Sequence, residues 1–106
     1  MAAKTSKKLE MLERLTAGGT KDPFHWYALA MEFRGLERHD EALQTFTALR
    51  SQDSAYLPMY LMCGQMLEKL SRTEEAREWY EAGMAVAKKK GETHALGELE
   101  AARAAL

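Results

Sequence analysis

The sequence predicts an all-α fold in which helical hairpins stack as a solenoid, two repeats with a capping helix on either side. Three observations carry that reading. Ala, Leu, Glu, Met, Arg and Lys dominate the 106 residues, and these side chains lose little freedom on entering a helix. β-branched residues are scarce, with no isoleucine and a single valine, Val86, so strands lack their usual material. The chain also matches itself at an offset of 34 residues, a period that belongs to stacked supersecondary units.

Laid over one another, residues 23–56 and 57–90 share five identities: Leu36 with Leu70, Arg38 with Arg72, Glu41 with Glu75, Ala42 with Ala76 and Ala48 with Ala82. The class matches are more telling. Trp26 falls on Tyr60, Ala30 on Gly64, Phe33 on Leu67 and Phe46 on Tyr80. Small residues at Ala30, Gly64, Ala42 and Ala76 let two antiparallel helices approach closely, and the aromatic residues fill the space beside that contact.

Taken in order, Lys7 to Ala17 carries Leu12 and Leu15 at the places held one period later by Phe46 and Leu49. It therefore reads as the second helix of a degenerate preceding repeat, stopped by Gly18 and Gly19. Asp22 and Pro23 are good N-cap and first-turn residues for a helix over 23–36, with Gly35 near its end. Its hairpin mate spans 39–51. The second repeat predicts helices over 56–70 and 73–89, the latter capped by Ser71 or Thr73. Beyond Gly91, residues 92–106 carry Leu96, Leu99 and Leu106 among alanines and charges and read as an amphipathic cap over the last repeat. The expected organisation is one domain over 1–106, with a helix at 5–17, repeats at 23–56 and 57–90, and a closing helix at 92–106.

At these spacings the sequence resembles the tetratricopeptide repeat, whose pattern runs W-x2-L-G-x2-Y and then A-x3-F over 34 residues. Trp26, Leu29, Ala30, Phe33, Ala42 and Phe46 fill it in the first repeat, and Tyr60, Cys63, Gly64, Leu67, Ala76 and Tyr80 in the second. Tyr for Trp, Cys for Leu, and Ser54 where the pattern usually ends in proline are the departures. The resemblance covers about two thirds of the chain. It implies a right-handed superhelix and a non-enzymatic role as a scaffold or adaptor that binds other proteins.

Composition narrows the remaining classes. Fifteen basic against sixteen acidic residues give a formal net charge of -1, which offers no electrostatic footprint for a phosphate backbone. No apolar run approaches the roughly 20 residues of a membrane span. The amino end, with Lys4, Lys7 and Lys8, lacks the apolar core and cleavage site of a secretory signal. The expectation is a cytoplasmic protein that binds neither nucleic acid nor membrane, and the lone Cys63 agrees with a reducing compartment.

Residues suited to chemistry are few and scattered. His25, His39 and His94 form no pair at metal-binding spacing, so they read as solvated, with His39 against its own loop. Cys63 sits on an expected buried face, where a thiol behaves as a small inert hydrophobe. Lys88, Lys89 and Lys90 complement the carbonyl end of a helix dipole, and Gly18-Gly19 lacks the lysine and hydroxyl of a phosphate loop. No catalytic, cofactor or metal site is expected.

The informative feature is a second apolar face. Trp26, Leu29, Ala30 and Phe33 account for one side of the 23–36 helix, yet Phe24, Tyr27 and Met31 recur on another. In tetratricopeptide arrays such positions line the concave groove, and their equivalents in the second repeat are Pro58, Leu61 and Gln65, with Met62 beside them. Arg34 and Glu68 are expected at the rim. The resemblance thus implies a binding groove of Phe24, Tyr27, Met31, Arg34, Leu61, Met62, Gln65 and Glu68, suited to a partner helix or extended peptide. Some family members hold a chaperone's terminal carboxylate there with Lys, Asn and Arg; Tyr27, Met31, Leu61, Met62 and Gln65 cannot make that clamp. The alternatives are a homodimer that buries the same groove against a second copy and cover of the stripe by the chain's own amino-terminal helix.

Overall fold

The computed structural model describes residues 4–106, and the described residues fold into α-helices with no strand. In chain order these are α1 (Lys7–Ala17), α2 (Pro23–Gly35), α3 (His39–Gln52), α4 (Pro58–Lys69), α5 (Thr73–Lys90) and α6 (Thr93–Ala104). They fall into two compact units, Met1–Asp53 and Ser54–Leu106.

In the first unit α2 packs against both α1 and α3. Ser6 opens α1 by accepting the Leu9 N–H at 2.9 Å, while its hydroxyl donates to Glu32 of α2 at 2.8 Å. That shared oxygen ties the start of α1 to its neighbour, and Leu9, Leu12 and Thr16 bury the same side. Leu15, at the place that Leu49 holds one period later, stays exposed, because α1 packs on α2 and on no other helix among the described residues. Asp22 caps α2 by accepting the Phe24 N–H at 2.9 Å. Ala30, Ala42, Phe46 and Leu49 are fully buried in the α2–α3 contact, beside Leu29 and Phe33.

The second unit builds its hairpin from α4 and α5 and lays α6 on α5. A Cβ added at Gly64 would collide with the Tyr80 ring, and one added at Gly83 would lie 2.6 Å from the Tyr60 Cβ and 3.0 Å from Leu99 Cδ1. Each helix thus receives the other's tyrosine over its own glycine. Trp79, 6% exposed, leans on Tyr60 with ring centroids 5.8 Å apart. Leu99 is the buried residue of α6, seated beside Gly83.

The corner between paired helices is built alike in both units. Glu37 and Ser71 both take φ 60, the left-handed region. The following residues, Arg38 and Arg72, donate their backbone N–H to Phe33 and Leu67 carbonyls at 2.8 and 2.9 Å, the long closing bond of a Schellman motif. Ser71 therefore terminates α4 rather than capping α5, and Thr73 is already the first helical residue; neither of the expected side-chain caps forms, and Arg72 occupies the N-cap position without one. Arg38 grips Glu41 through two bonds of 2.7 Å, donates to the Lys4 carbonyl at 2.9 Å and lies 4.9 Å over the Phe33 ring. Arg72 and Glu75 repeat the grip at 2.8 Å. The guanidinium of Arg38 holds the Glu41 carboxyl below its ordinary value, against the smaller opposing effect of burial.

Three outcomes test this architecture. Gly97 has open space where a Cβ would go, so Gly97→Ala should stabilise by about 0.5–1 kcal/mol through helix propensity alone. Gly83→Ala and Gly64→Ala should reverse that sign and cost about 1–3 kcal/mol by overpacking; chemical denaturation of the three variants reads the difference, and a stabilised Gly83→Ala would refute the interlock. At the corners, Glu37→Gly and Ser71→Gly relieve a left-handed side chain and should raise stability by up to about 1 kcal/mol, the strain relief being partly offset by the freer unfolded chain.

For Glu41 the folded carboxyl titrates below its unfolded value, so its contribution is complete above the unfolded pKa and fades as pH falls through the folded one. Carbon-detected NMR should place the Glu41 midpoint under 4.5, the ordinary value, and Arg38→Gln should return it there. A Glu41 midpoint unmoved by Arg38→Gln would count against the pairing.

Candidate functional site

Helix periodicity sets the candidate residues on two faces, one in each unit. On α2, Phe24, Tyr27, Met31 and Arg34 follow at spacings of three, four and three, which keeps them on one side. The other side of α2 carries Leu29 at 5%, Ala30 at 0% and Phe33 at 5% exposure. Phe24 is 57% exposed, while Tyr27, Met31 and Arg34 are half-buried. Arg34 Nη1 lies 3.9 Å from the Met31 thioether sulfur, so the cation is laid along the face instead of standing off it.

The loop before α2 holds this first turn in place. The Trp26 indole N–H donates to the Thr20 carbonyl at 3.2 Å, and the Thr20 hydroxyl lies 2.8 Å from His25 Nδ1. His25 Nε2 is 3.9 Å from Asp22. The histidine thus serves the entry to α2, between a hydroxyl and the carboxylate that caps the helix.

On α4, Leu61, Met62 and Gln65 are half-buried and Glu68 is exposed, whereas Met59, Tyr60, Cys63, Gly64, Met66 and Leu67 are buried. This face is narrower than that of α2, since burial of Met59 and Met66 extends the packed side around the helix. Pro58, expected as the counterpart of Phe24, is exposed and supplies the first turn of α4. Glu68, expected at the rim, also accepts the Tyr80 hydroxyl at 2.9 Å, a bond that ties α4 to α5.

Other chemistry-bearing groups lie elsewhere. Cys63 is fully buried in the core. The His94 side chain is 92% exposed and 3.6 Å from Glu98 one turn on. Among the described residues no group of three or more His, Cys, Asp or Glu is arranged to hold a metal ion, and no helix is long and apolar enough to cross a membrane.

Sequence reasoning missed two features. Trp79 replaces Thr45 of the preceding period, and its burial shows that the second hairpin has a larger aromatic centre than the first. Met11, 45% exposed, and Leu15, 38% exposed, are large apolar side chains left open on α1; their spacing of four on one helix was the available signal.

Comparison with known proteins agrees with the hairpin geometry. The family model described as tetratricopeptide repeat matches residues 57–90. A crystal structure of a tetratricopeptide repeat domain protein from Salinibacter ruber is 36% identical, with a TM-score of 0.71, covering 77% of this chain and 92% of that one. A solution NMR structure of a tetratricopeptide repeat domain protein from Salinibacter ruber is 36% identical with a TM-score of 0.73, covering 77% of this chain and 83% of its own. No curated protein matches in sequence.

Proposed function

Because the chain belongs to the tetratricopeptide repeat family, we propose that it is a non-enzymatic interaction module that engages a partner protein through the exposed faces of α2 and α4. Phe24 carries the proposal. A phenylalanine 57% exposed, on the same side as Tyr27 and Met31 and opposite a complete packing face, forgoes part of the roughly 1.5–3 kcal/mol that burial of such a side chain provides. A docking helix or extended peptide would recover it.

The chemistry of these faces favours an apolar segment over a charged tail. Aromatic anchors dominate interface energetics, and methionine adapts to irregular partners. Leu61 and Met62 offer a smaller apolar area on α4, with Gln65 able to donate and accept. Both faces lie on helices already held by tertiary packing, so little ordering entropy is lost on this side when a partner docks. Arg34 contributes orientation more than affinity.

The test compares the wild type with Tyr27→Asp/Met31→Asp and with Leu61→Asp/Met62→Asp. Both variants should keep the wild-type circular dichroism, since none of the four residues belongs to the fully buried set. A partner captured from the native cell extract, once identified and titrated, should bind each variant at least about tenfold more weakly. Unfolding of either variant would assign its residues to the core, and undiminished binding would move the site elsewhere. Sedimentation at several concentrations separates the remaining case, in which a dimer broken by the same substitutions makes a second copy the partner.

A further inference from the structure

We propose that the outer face of α1 is a second docking surface, distinct from the α2 and α4 faces, and that it takes an acidic amphipathic helix of another protein. The shape argument comes from the 34-residue register. Ala42, Thr45, Phe46 and Leu49 of α3, and Ala76, Trp79, Tyr80 and Gly83 of α5, are all buried, on helices paired with α2 and α4 respectively. One period earlier the same four places hold Lys8, Met11, Leu12 and Leu15. Leu12 is 3% exposed, yet Met11 stands at 45% and Leu15 at 38%. The side of the helix that a hairpin mate closes in both complete repeats is therefore open in α1, and an α-helix is the shape that fits it.

Charge selects the chemistry of that helix. Lys7, Met11, Arg14 and Leu15 stand at i, i+4, i+7 and i+8, on one face, and Lys8 borders Leu15 from the other edge. All three cations are solvent-exposed, and Lys8 makes only a 4.0 Å approach to Glu32. Of the acidic residues of the helix, Glu10 adjoins Lys7 and Arg14 on the edge away from Met11 and Leu15, and Glu13 lies on a different side, close enough to Arg38 to favour its charged form. An apolar pair rimmed by cations alone repels a copy of itself, because antiparallel pairing would set Lys7 against Arg14. It attracts a helix with leucines at i, i+3 and i+4 flanked by glutamates. Two apolar side chains on a helix whose other face is already packed give a lipid surface little to hold.

The probe is a synthetic Leu/Ala/Glu amphipathic helix titrated into the isotopically labelled full chain, with a Leu/Ala/Lys helix of the same apolar pattern as comparison. Amide shifts should concentrate on residues 7–18 for the acidic helix, weaken as salt rises, and be absent for the basic one. Met11→Ser/Leu15→Ser and, separately, Lys7→Glu/Arg14→Glu should each weaken binding about tenfold with helicity unchanged; the two pairs are independent, so one misfolded variant leaves the other to decide. Equal binding of both helices, or shifts confined to α2 and α4, would overturn the proposal. So would binding of α1 to vesicles containing anionic phosphatidylserine in preference to the acidic helix, or a dimer that Met11→Ser/Leu15→Ser dissolves. Loss of partner binding at Tyr27 and Met31 has no bearing on this surface.

Discussion

The close approach of α4 and α5 is the constraint on which the second unit depends. A helix interior glycine costs roughly 1 kcal/mol relative to alanine, and this hairpin contains two, Gly64 and Gly83. Each makes room for a tyrosine from the opposite helix, and burying an aromatic side chain provides about 1.5–3 kcal/mol. The exchange is favourable only if the phenolic hydroxyls find partners, since an unsatisfied buried polar group costs a comparable amount. Tyr60 donates to the Ser54 carbonyl at 2.6 Å and Tyr80 to Glu68 at 2.9 Å. The same gap fixes α6, because Leu99 enters beside Gly83; a short helix with one buried residue stays docked where its neighbour leaves space.

How two segments with so few identities reach the same backbone is explained by where those identities fall. Three of the five, at Leu36, Arg38 and Glu41 and their counterparts, lie at the corner between the helices. There the backbone must take one residue into the left-handed region and return, and Arg38–Glu41 and Arg72–Glu75 brace the result from outside. The packing faces need only size. Trp26 and Tyr60 show how far this goes: an indole N–H reaches the Thr20 carbonyl, and 34 residues later a phenol O–H reaches the Ser54 carbonyl. The ring and the donor are preserved although the residue is not.

Legibility followed the same division. The periodic small and aromatic residues located the hairpins, and Asp22, Pro23 and Gly19 located helix ends, because each acts through its own backbone or its nearest turn. Ser71 was misread because N-cap preference is a property of residue type, whereas the corner's dihedral angles belong to the hairpin and draw whatever residue stands there into φ 60. Gly83 stands where Leu49 does one period earlier, and its purpose appears only with Tyr60 and Leu99 beside it. Of the candidate site, the α2 face was readable from spacing, since Phe24, Tyr27 and Met31 have no room on the packed side. The bond between Glu68 and Tyr80 was not, because the two residues stand twelve positions apart on different helices.

The two candidate faces are unequal in what they can contribute to binding. On α4 the packed side has expanded to take in Met59 and Met66, both 2% exposed or less, and one prospective rim charge also bonds Tyr80. On α2 the packed side is held to Leu29, Ala30 and Phe33, which leaves Phe24 in water and two half-buried neighbours behind it. Binding energy concentrates where a large side chain moves from solvent into a desolvated contact, so α2 has more to gain from a partner than α4. The reason lies in the register: one period after Phe24 stands Pro58, so the proline of α4 takes the exposed place and the methionine after it, Met59, falls on the packed side. The proline stands one place later in α4 than in α2, and that shift of one residue leaves an aromatic side chain at the exposed place in α2 alone.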